Sequence, residues 1–216
     1  MKINAFSKTY EGRKVLDMPK MELTSGKIYA VIGANGSGKS TLAKCLAGII
    51  RPDQKEQILF SDISVGYMPQ KSYAFRMNVE KNILLGSKDL MRAKKLMEEL
   101  QIEHLAKKSA AKLSGGETAR MALGRVLMKS FDLLILDEPV SGVDQNGLEE
   151  FYQTVDELKR KNHMAILLVS HDLSVVERYA DRVVLMQGTV VKQGVPELVF
   201  DSPEFEQVFY AKGGRA

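Results

Sequence analysis

The chain has 216 residues, of which 44% are hydrophobic and 27% charged, with a formal net charge of +4. That is ordinary for one large globular domain, alone or with a helical insertion, and the scattered lysines form no basic tract that would single out nucleic acid or an anionic membrane. No apolar run reaches membrane-spanning length, Met1–Lys8 holds no leader-length apolar core, and the single cysteine, Cys45, has no internal disulfide partner, so a reducing, cytoplasmic setting is expected.

Residues 2–10 and 14–32 divide into strand-sized apolar pieces, broken at Glu11-Gly12 and Ser25-Gly26. The strand Lys27–Ile32 runs into Gly33-Ala-Asn-Gly-Ser-Gly-Lys-Ser-Thr41, and a helix is predicted over Thr41–Gly48. Arg51-Pro52-Asp53 reads as a turn, followed by short strands at Gln57–Phe60 and Ile63–Met68. From Ser72 to Lys129 the pattern is helical, with Leu90, Ala93, Leu96, Met97 and Leu100 at helix spacing. Beyond it the pattern predicts strand Leu133–Leu136, helix Leu148–Arg160, strand Ala165–Val169 and helix Leu173–Tyr179. Strands Arg182–Met186 and Thr189–Lys192 flank a hairpin turn at Gln187-Gly188, and a last helix covers Glu204–Ala211. Strands alternating with helices imply an α/β fold with a mostly parallel sheet, into which the central helical block is inserted.

The segment from Gly33 to Thr41 has the composition and context of a phosphate-binding loop: strand, glycine-rich turn, helix. Gly33, Gly36 and Gly38 permit the tight path on which backbone N–H groups, including those of Asn35 and Ser37, turn inward onto a polyphosphate. The free N–H groups at the start of the following helix, around Ser40 and Thr41, add to that field. Lys39 brings a positive charge to the terminal phosphates, and Ser40 a hydroxyl for Mg²⁺. A nucleoside triphosphate is the ligand these residues imply. Downstream, the apolar run Leu133–Leu136 ends in Asp137-Glu138-Pro139, carboxylates at the carboxyl end of a strand, where α/β sheets hold ligands. Beside a phosphate loop, Asp137 is placed toward Mg²⁺ and Glu138 toward the attacking water. Leu113-Ser-Gly-Gly-Glu117 opens a helix. Ser114 and Glu117 make a capping box, but Gly115 and Gly116 cost helix stability and point to a second anion site.

In that order, these three segments resemble the ATP-binding subunits of ABC transporters, from about Ile3 to Phe200. Gly33–Ser40 matches the Walker A motif, Leu134–Glu138 matches Walker B with its catalytic glutamate, and Leu113–Glu117 matches the signature. The resemblance implies a P-loop NTPase core with an N-terminal antiparallel β subdomain and a compact helical insertion. In it residues 1–71 and 130–200 form the core with the β subdomain, 72–129 the helical subdomain and 201–216 a C-terminal helix. It also implies that Gln70 is the Q-loop glutamine near Mg²⁺ or the water, and that His171 is the switch histidine at the γ-phosphate. Asp144 becomes a D-loop residue between subunits, and Tyr10 the aromatic that stacks on adenine. His104 and His163 match no motif and read as surface residues. ATP with Mg²⁺ is implied as ligand and cofactor, held between Gly33–Thr41 of one copy and Ser114–Gly116 of a second copy or a paralogous subunit. No nucleic-acid partner is implied.

Glu117 stands where the family commonly has Gln, which adds negative charge beside the nucleotide, and Val143 replaces a common leucine. The work of such a subunit is ATP hydrolysis coupled to transport through separate transmembrane subunits, on the inner face of the membrane. Tyr73, Phe75 and Met77 are candidates for docking them or for the insertion's own core. A soluble relative in translation or DNA repair is the alternative, set against by the single nucleotide-binding unit and the lack of long coiled coils. Phe75–Ile83 and Tyr179–Leu185 look like those of importers of metal ions or small oxyanions.

Overall fold

The computed structural model describes residues 1–54, 60 and 63–210. Most of the Gln57–Phe60 strand expectation, and Ala211 of the last helix, therefore lie outside the described residues. In chain order the elements begin with β1 (Lys2–Ile3), β2 (Phe6–Tyr10), β3 (Arg13–Met18), β4 (Met21–Glu22), β5 (Ile28–Ile32), α1 (Lys39–Leu46) and β6 (Val65–Met68). The insertion carries α2 (Val79–Ile83), α3 (Leu90–Glu99) and α4 (Gly115–Leu127), with two short 3₁₀ turns between α3 and α4. Then come β7 (Leu133–Asp137), α5 (Gln145–Asn162), β8 (Ala165–Val169), α6 (Leu173–Tyr179), β9 (Arg182–Met186), β10 (Val190–Gly194), α7 (Pro196–Phe200) and α8 (Pro203–Phe209).

Six strands form the main sheet in the order β10-β9-β5-β8-β7-β6. All are parallel except β10, which turns back antiparallel on β9. Every residue of β7 and β8 is buried, which explains their unbroken apolar sequences: both faces of a parallel sheet are covered. One face, through Val31, Ile135 and Leu167, packs on α1 and on the N-terminal strands that carry Phe6, Leu16 and Met18. Cys45 lies in this layer at 2% exposure, and burial pushes its thiol up to about 11. The opposite face, through Leu134, Leu136 and Ile166, packs on α4, α5 and the rest of the insertion, with Phe151 fully buried at its centre. The N-terminal strands pair antiparallel, β1 with β4 and β2 with β3, outside the main sheet.

The insertion is helical only from Val79, not from Ser72. The cause is Asn82, completely buried on α2. Its amide accepts from Phe75 N at 3.0 Å and donates to Phe75 O at 3.1 Å and Met77 O at 3.3 Å. These bonds give the backbone of 75–77 partners a helix would otherwise supply. Arg125 on α4 holds the same loop from the other side, donating to Tyr73 O at 2.8 Å with its guanidinium 4.9 Å from the Phe75 ring centroid. Tyr73 and Phe75 are left outward-facing, 64% and 47% exposed. A helix at Pro196–Phe200 is absent from the periodicity reading, although Pro196 occupies the first helical position, where proline is favoured. Ser114 caps α4 in the capping box, so Gly115 and Gly116 form the first turn of that helix.

Candidate active site

Because β5, β8, β7 and β6 are successive parallel neighbours, their carboxyl ends open on one edge. Gly33–Gly38 follows β5, Gln70 follows β6, Asp137-Glu138 ends β7, and Ser170-His171 follows β8. Four distant stretches of sequence meet there because of strand order alone.

The glycine turn begins at Gly33, whose φ of 152° no Cβ tolerates here: one added would lie 2.2 Å from Met186 O. Gly36 and Gly38 have φ of 79° and 94°, the left-handed region in which glycine meets no steric penalty. Gly38 also lies against β3, since an added Cβ would sit 3.0 Å from Val15 O. Asn35 is exposed and Ser37 buried on this turn. Helix α1 starts at Lys39, two residues before the expected Thr41, so Ser40 and Thr41 belong to its first turn. Lys39 is 7% exposed and folds back on the loop, donating to Gly33 O at 2.8 Å and Ala34 O at 3.2 Å. Burial lowers its ammonium from the usual lysine range, against the pull of Glu138 and Asp137.

Asp137 is 3% exposed and pinned at both oxygens. Ser40 Oγ donates to one at 3.1 Å and the Tyr67 hydroxyl to the other at 2.9 Å. Sequence reading did not single out Tyr67, which resembles an ordinary strand aromatic. The signal lies in the register: Tyr67 pairs with Ile135, and Asp137 is the next residue on the same side of β7. Burial, then the Asp137 charge, raises the phenol far above its ordinary range, so it acts as a donor. Glu138 has φ of 48°, which costs a non-glycine residue about 1–2 kcal/mol and turns its carboxylate out of the strand direction. Gln70 Nε2 donates to Glu138 Oε2 at 2.8 Å, and His171 Nδ1 lies 3.4 Å from that oxygen. The structure thus brings together Lys39, Ser40, Gln70, Asp137, Glu138 and His171.

Ser114 and Asp144 gather elsewhere. Ser114 caps α4, accepting from Glu117 N at 3.2 Å, while Glu117 returns the contact to Ser114 N at 2.8 Å. Asp144 caps α5 through Gly147 N at 2.9 Å. The two helix starts abut: an added Cβ on Gly115 would lie 3.1 Å from Val143 Cγ2, and one on Gly116 3.0 Å from Gly147 Cα. Ser114, Gly116 and Asp144 line one cavity, whereas Glu138 and His171 line another with Ser141 and Val143. Tyr10 ends β2 at 43% exposure, with Lys8 Nζ 5.2 Å from its ring centroid, on the hairpin whose second strand touches Gly38. His104 and His163 are exposed.

Among the described residues no group of three or more His, Cys, Asp or Glu side chains could cage a metal. A hydroxyl and one carboxylate instead fit Mg²⁺, which keeps waters and takes further oxygens from a bound phosphate. A Tyr67→Phe substitution frees one Asp137 oxygen, and about tenfold more Mg²⁺ is expected for half-maximal nucleotide binding, read by titration with a fluorescent nucleotide. An unchanged midpoint would remove Tyr67 from this role.

The family model described as ABC transporter matches residues 16–141. The zinc import ATP-binding protein ZnuC of Chelativorans sp. (strain BNC1) is 38% identical over 94% of this chain and 73% of its own length. That of Vibrio vulnificus (strain YJ016) is 37% identical over 96% and 81%. Among solved structures, the ADP conformation of MJ1267, an ATP-binding cassette of an ABC transporter, superposes with a TM-score of 0.85. It is 25% identical, over 97% of this chain and 98% of its own. The cbiO1 protein of Clostridium perfringens, part of the cbiONQ transporter complex, has a TM-score of 0.81 and 27% identity over 98% and 95%.

Proposed function

This chain belongs to the ABC transporter family, as an ATP-binding, ATP-hydrolysing subunit that works with membrane permease subunits, and from that premise we propose how its site is completed and what it serves. Two subunits, identical or paralogous, pair head to tail. ATP then lies between Gly33–Thr41 of one and Ser114–Gly116 of the other, with Asp144 at the seam and Tyr10 against adenine. One observation carries this reading: within a single chain the Ser114 face and the Glu138–His171 group line separate cavities. A γ-phosphate bridging two chains stabilises the closed pair, and its loss on hydrolysis releases them.

Lys39 and the turn amides bind the phosphates. Ser40 and Asp137 would hold Mg²⁺, with Gln70 beside it; when bound, the ion offsets charge developing on the phosphate oxygens. Glu138 accepts a proton from the attacking water or orients it. Gln70, bonded to Glu138, fixes that carboxylate, and His171 reaches the terminal phosphate from the same side. Residues 1–71 and 130–200 serve as the nucleotide-binding core with its β subdomain, 72–129 as the helical subdomain, and the segment after Phe200 contributes α8 (Pro203–Phe209). The exposed loop at Tyr73, Phe75 and Met77 docks the permease at the inner face of the membrane. No helix among the described residues is long and apolar enough to cross a membrane.

Zinc is the cargo we propose, because the relatives named above are zinc import proteins. Deleting the chain from its host is expected to raise the zinc needed for growth. The parent chain restores growth under zinc chelation, and a Tyr73→Ala, Phe75→Ala double variant that still hydrolyses ATP does not. Growth unaffected by the deletion would overturn the zinc assignment, and full rescue by the variant would overturn the docking loop.

A further inference from the structure

We propose that Lys108 is a positioning residue of the composite ATP site, whose ammonium offsets the charge of Glu117 so that the Ser114 turn keeps a face able to receive a phosphate. The inference rests on the head-to-tail reading above. Helix α4 begins at Gly115, and the partial positive charge of its first turn is what a phosphate would meet. Glu117 sits in that same turn. An ionised carboxylate there competes with the phosphate for the same field and repels it.

The carboxylate is ionised. Burial raises its proton affinity, but the Ser114 amide, the Lys108 ammonium and the Arg120 guanidinium outweigh that and hold it below the usual carboxylate range. Its Oε2 accepts from Ser114 N at 2.8 Å and from Lys108 Nζ at 3.2 Å. The two side chains are 21% and 36% exposed, so solvent screens the pair only in part. Arg120 is engaged elsewhere, donating to Glu150 at 2.5 Å. Asp144 directs its carboxylate to Gly147 N, and His104 and Glu150 complete the charged and titratable groups on this face. Lys108 is thus the cation hydrogen-bonded to Glu117.

Its position is fixed from outside α4. Val79 N donates to Lys108 O at 3.1 Å, Lys108 N to Leu105 O at 2.8 Å, and Ala110 N to Met77 O at 3.0 Å. The ammonium therefore approaches Glu117 from a separate stretch of backbone and does not line the cavity that Ser114, Gly116 and Glu117 share. Glutamate stabilises the turn through its cap, and the neighbouring lysine prevents that cap from closing the site to anions.

A four-protein cycle tests this: the parent, Lys108→Met, Glu117→Gln and the double variant. ATP-dependent pairing is followed by sedimentation, and ATP binding to the separated subunit by a fluorescent analogue. Lys108→Met is expected to raise the ATP concentration for half-maximal pairing at least fivefold without changing the single-subunit affinity. In the Glu117→Gln background the same change has no effect, and Lys108→Arg restores the parent value. An equal penalty in both backgrounds, or none in either, would overturn the proposal. If the parent itself fails to pair with ATP, the head-to-tail reading fails first, and this inference with it.

Discussion

Replacing Glu138 with Gln is expected to slow ATP turnover by about 10²–10⁴-fold while leaving ATP bound, the range lost when a positioned general base is removed. The substitution suits the question because it preserves shape. Gln70 donates to Glu138 Oε2 at 2.8 Å, and a glutamine carbonyl can accept the same bond. The unusual backbone conformation at this position, with φ of 48°, is equally open to either residue. What disappears is the proton acceptor. His171, 3.4 Å from the same oxygen, also loses an anionic neighbour. The variant should therefore accumulate as a closed, ATP-bound pair, visible as a doubled mass in light scattering, with phosphate release nearly absent. Turnover within threefold of the parent would exclude Glu138 as base or water-orienter.

The second large effect concerns affinity. Lys39→Met should weaken ATP binding by about 10- to 100-fold, the equivalent of losing charged hydrogen bonds to the phosphates. Methionine retains most of the stem length, and at 7% exposure the Lys39 side chain fills space the fold uses. The loop satisfies the ammonium with two backbone carbonyls, at 2.8 and 3.2 Å. A triphosphate offers charged acceptors instead, and hydrogen bonds to ionised partners are the stronger ones. Calorimetry gives the dissociation constant, and a thermal melt without ligand checks that folding is intact. An affinity within twofold of the parent would mean that the amides of the turn hold the phosphates unaided.

A feature is legible in the sequence when one segment carries its chemistry, and illegible when contact between several segments does. Gly33–Ser40 is legible because the turn imposes its glycines locally, and β5, β7, β8 and β9 because apolar β-branched and leucine runs of strand length leave little choice. Family resemblance added Gln70 and His171, whose local sequences alone are uninformative. Their meeting at Glu138 follows from the strand order β5-β8-β7-β6, which no short window contains. Tyr67 is illegible in the sequence because a phenol in a strand alternation looks like filler until the strand beside it is known to end in Asp137. The loop before α2 has apolar spacing compatible with a helix, which is why the sequence predicts one there. The deciding feature, a buried Asn82 spending its amide on that backbone, is tertiary. Glu117 was legible as a cap and as an added charge, but its partner Lys108 lies on a segment that only folding brings near.

The burial of Cys45 within the layer between α1 and the sheet has a practical side. It is the chain's only cysteine, it is 2% exposed, and its thiol stays protonated with a value near 11, so maleimides and oxidants find no nucleophile there. Dyes can accordingly be attached at a single introduced surface thiol such as Lys94→Cys, exposed on α3 and outside the lining of both nucleotide-facing cavities, with the native residue left in place. Energy transfer between labelled copies would then report their association in real time, on a polypeptide otherwise unaltered.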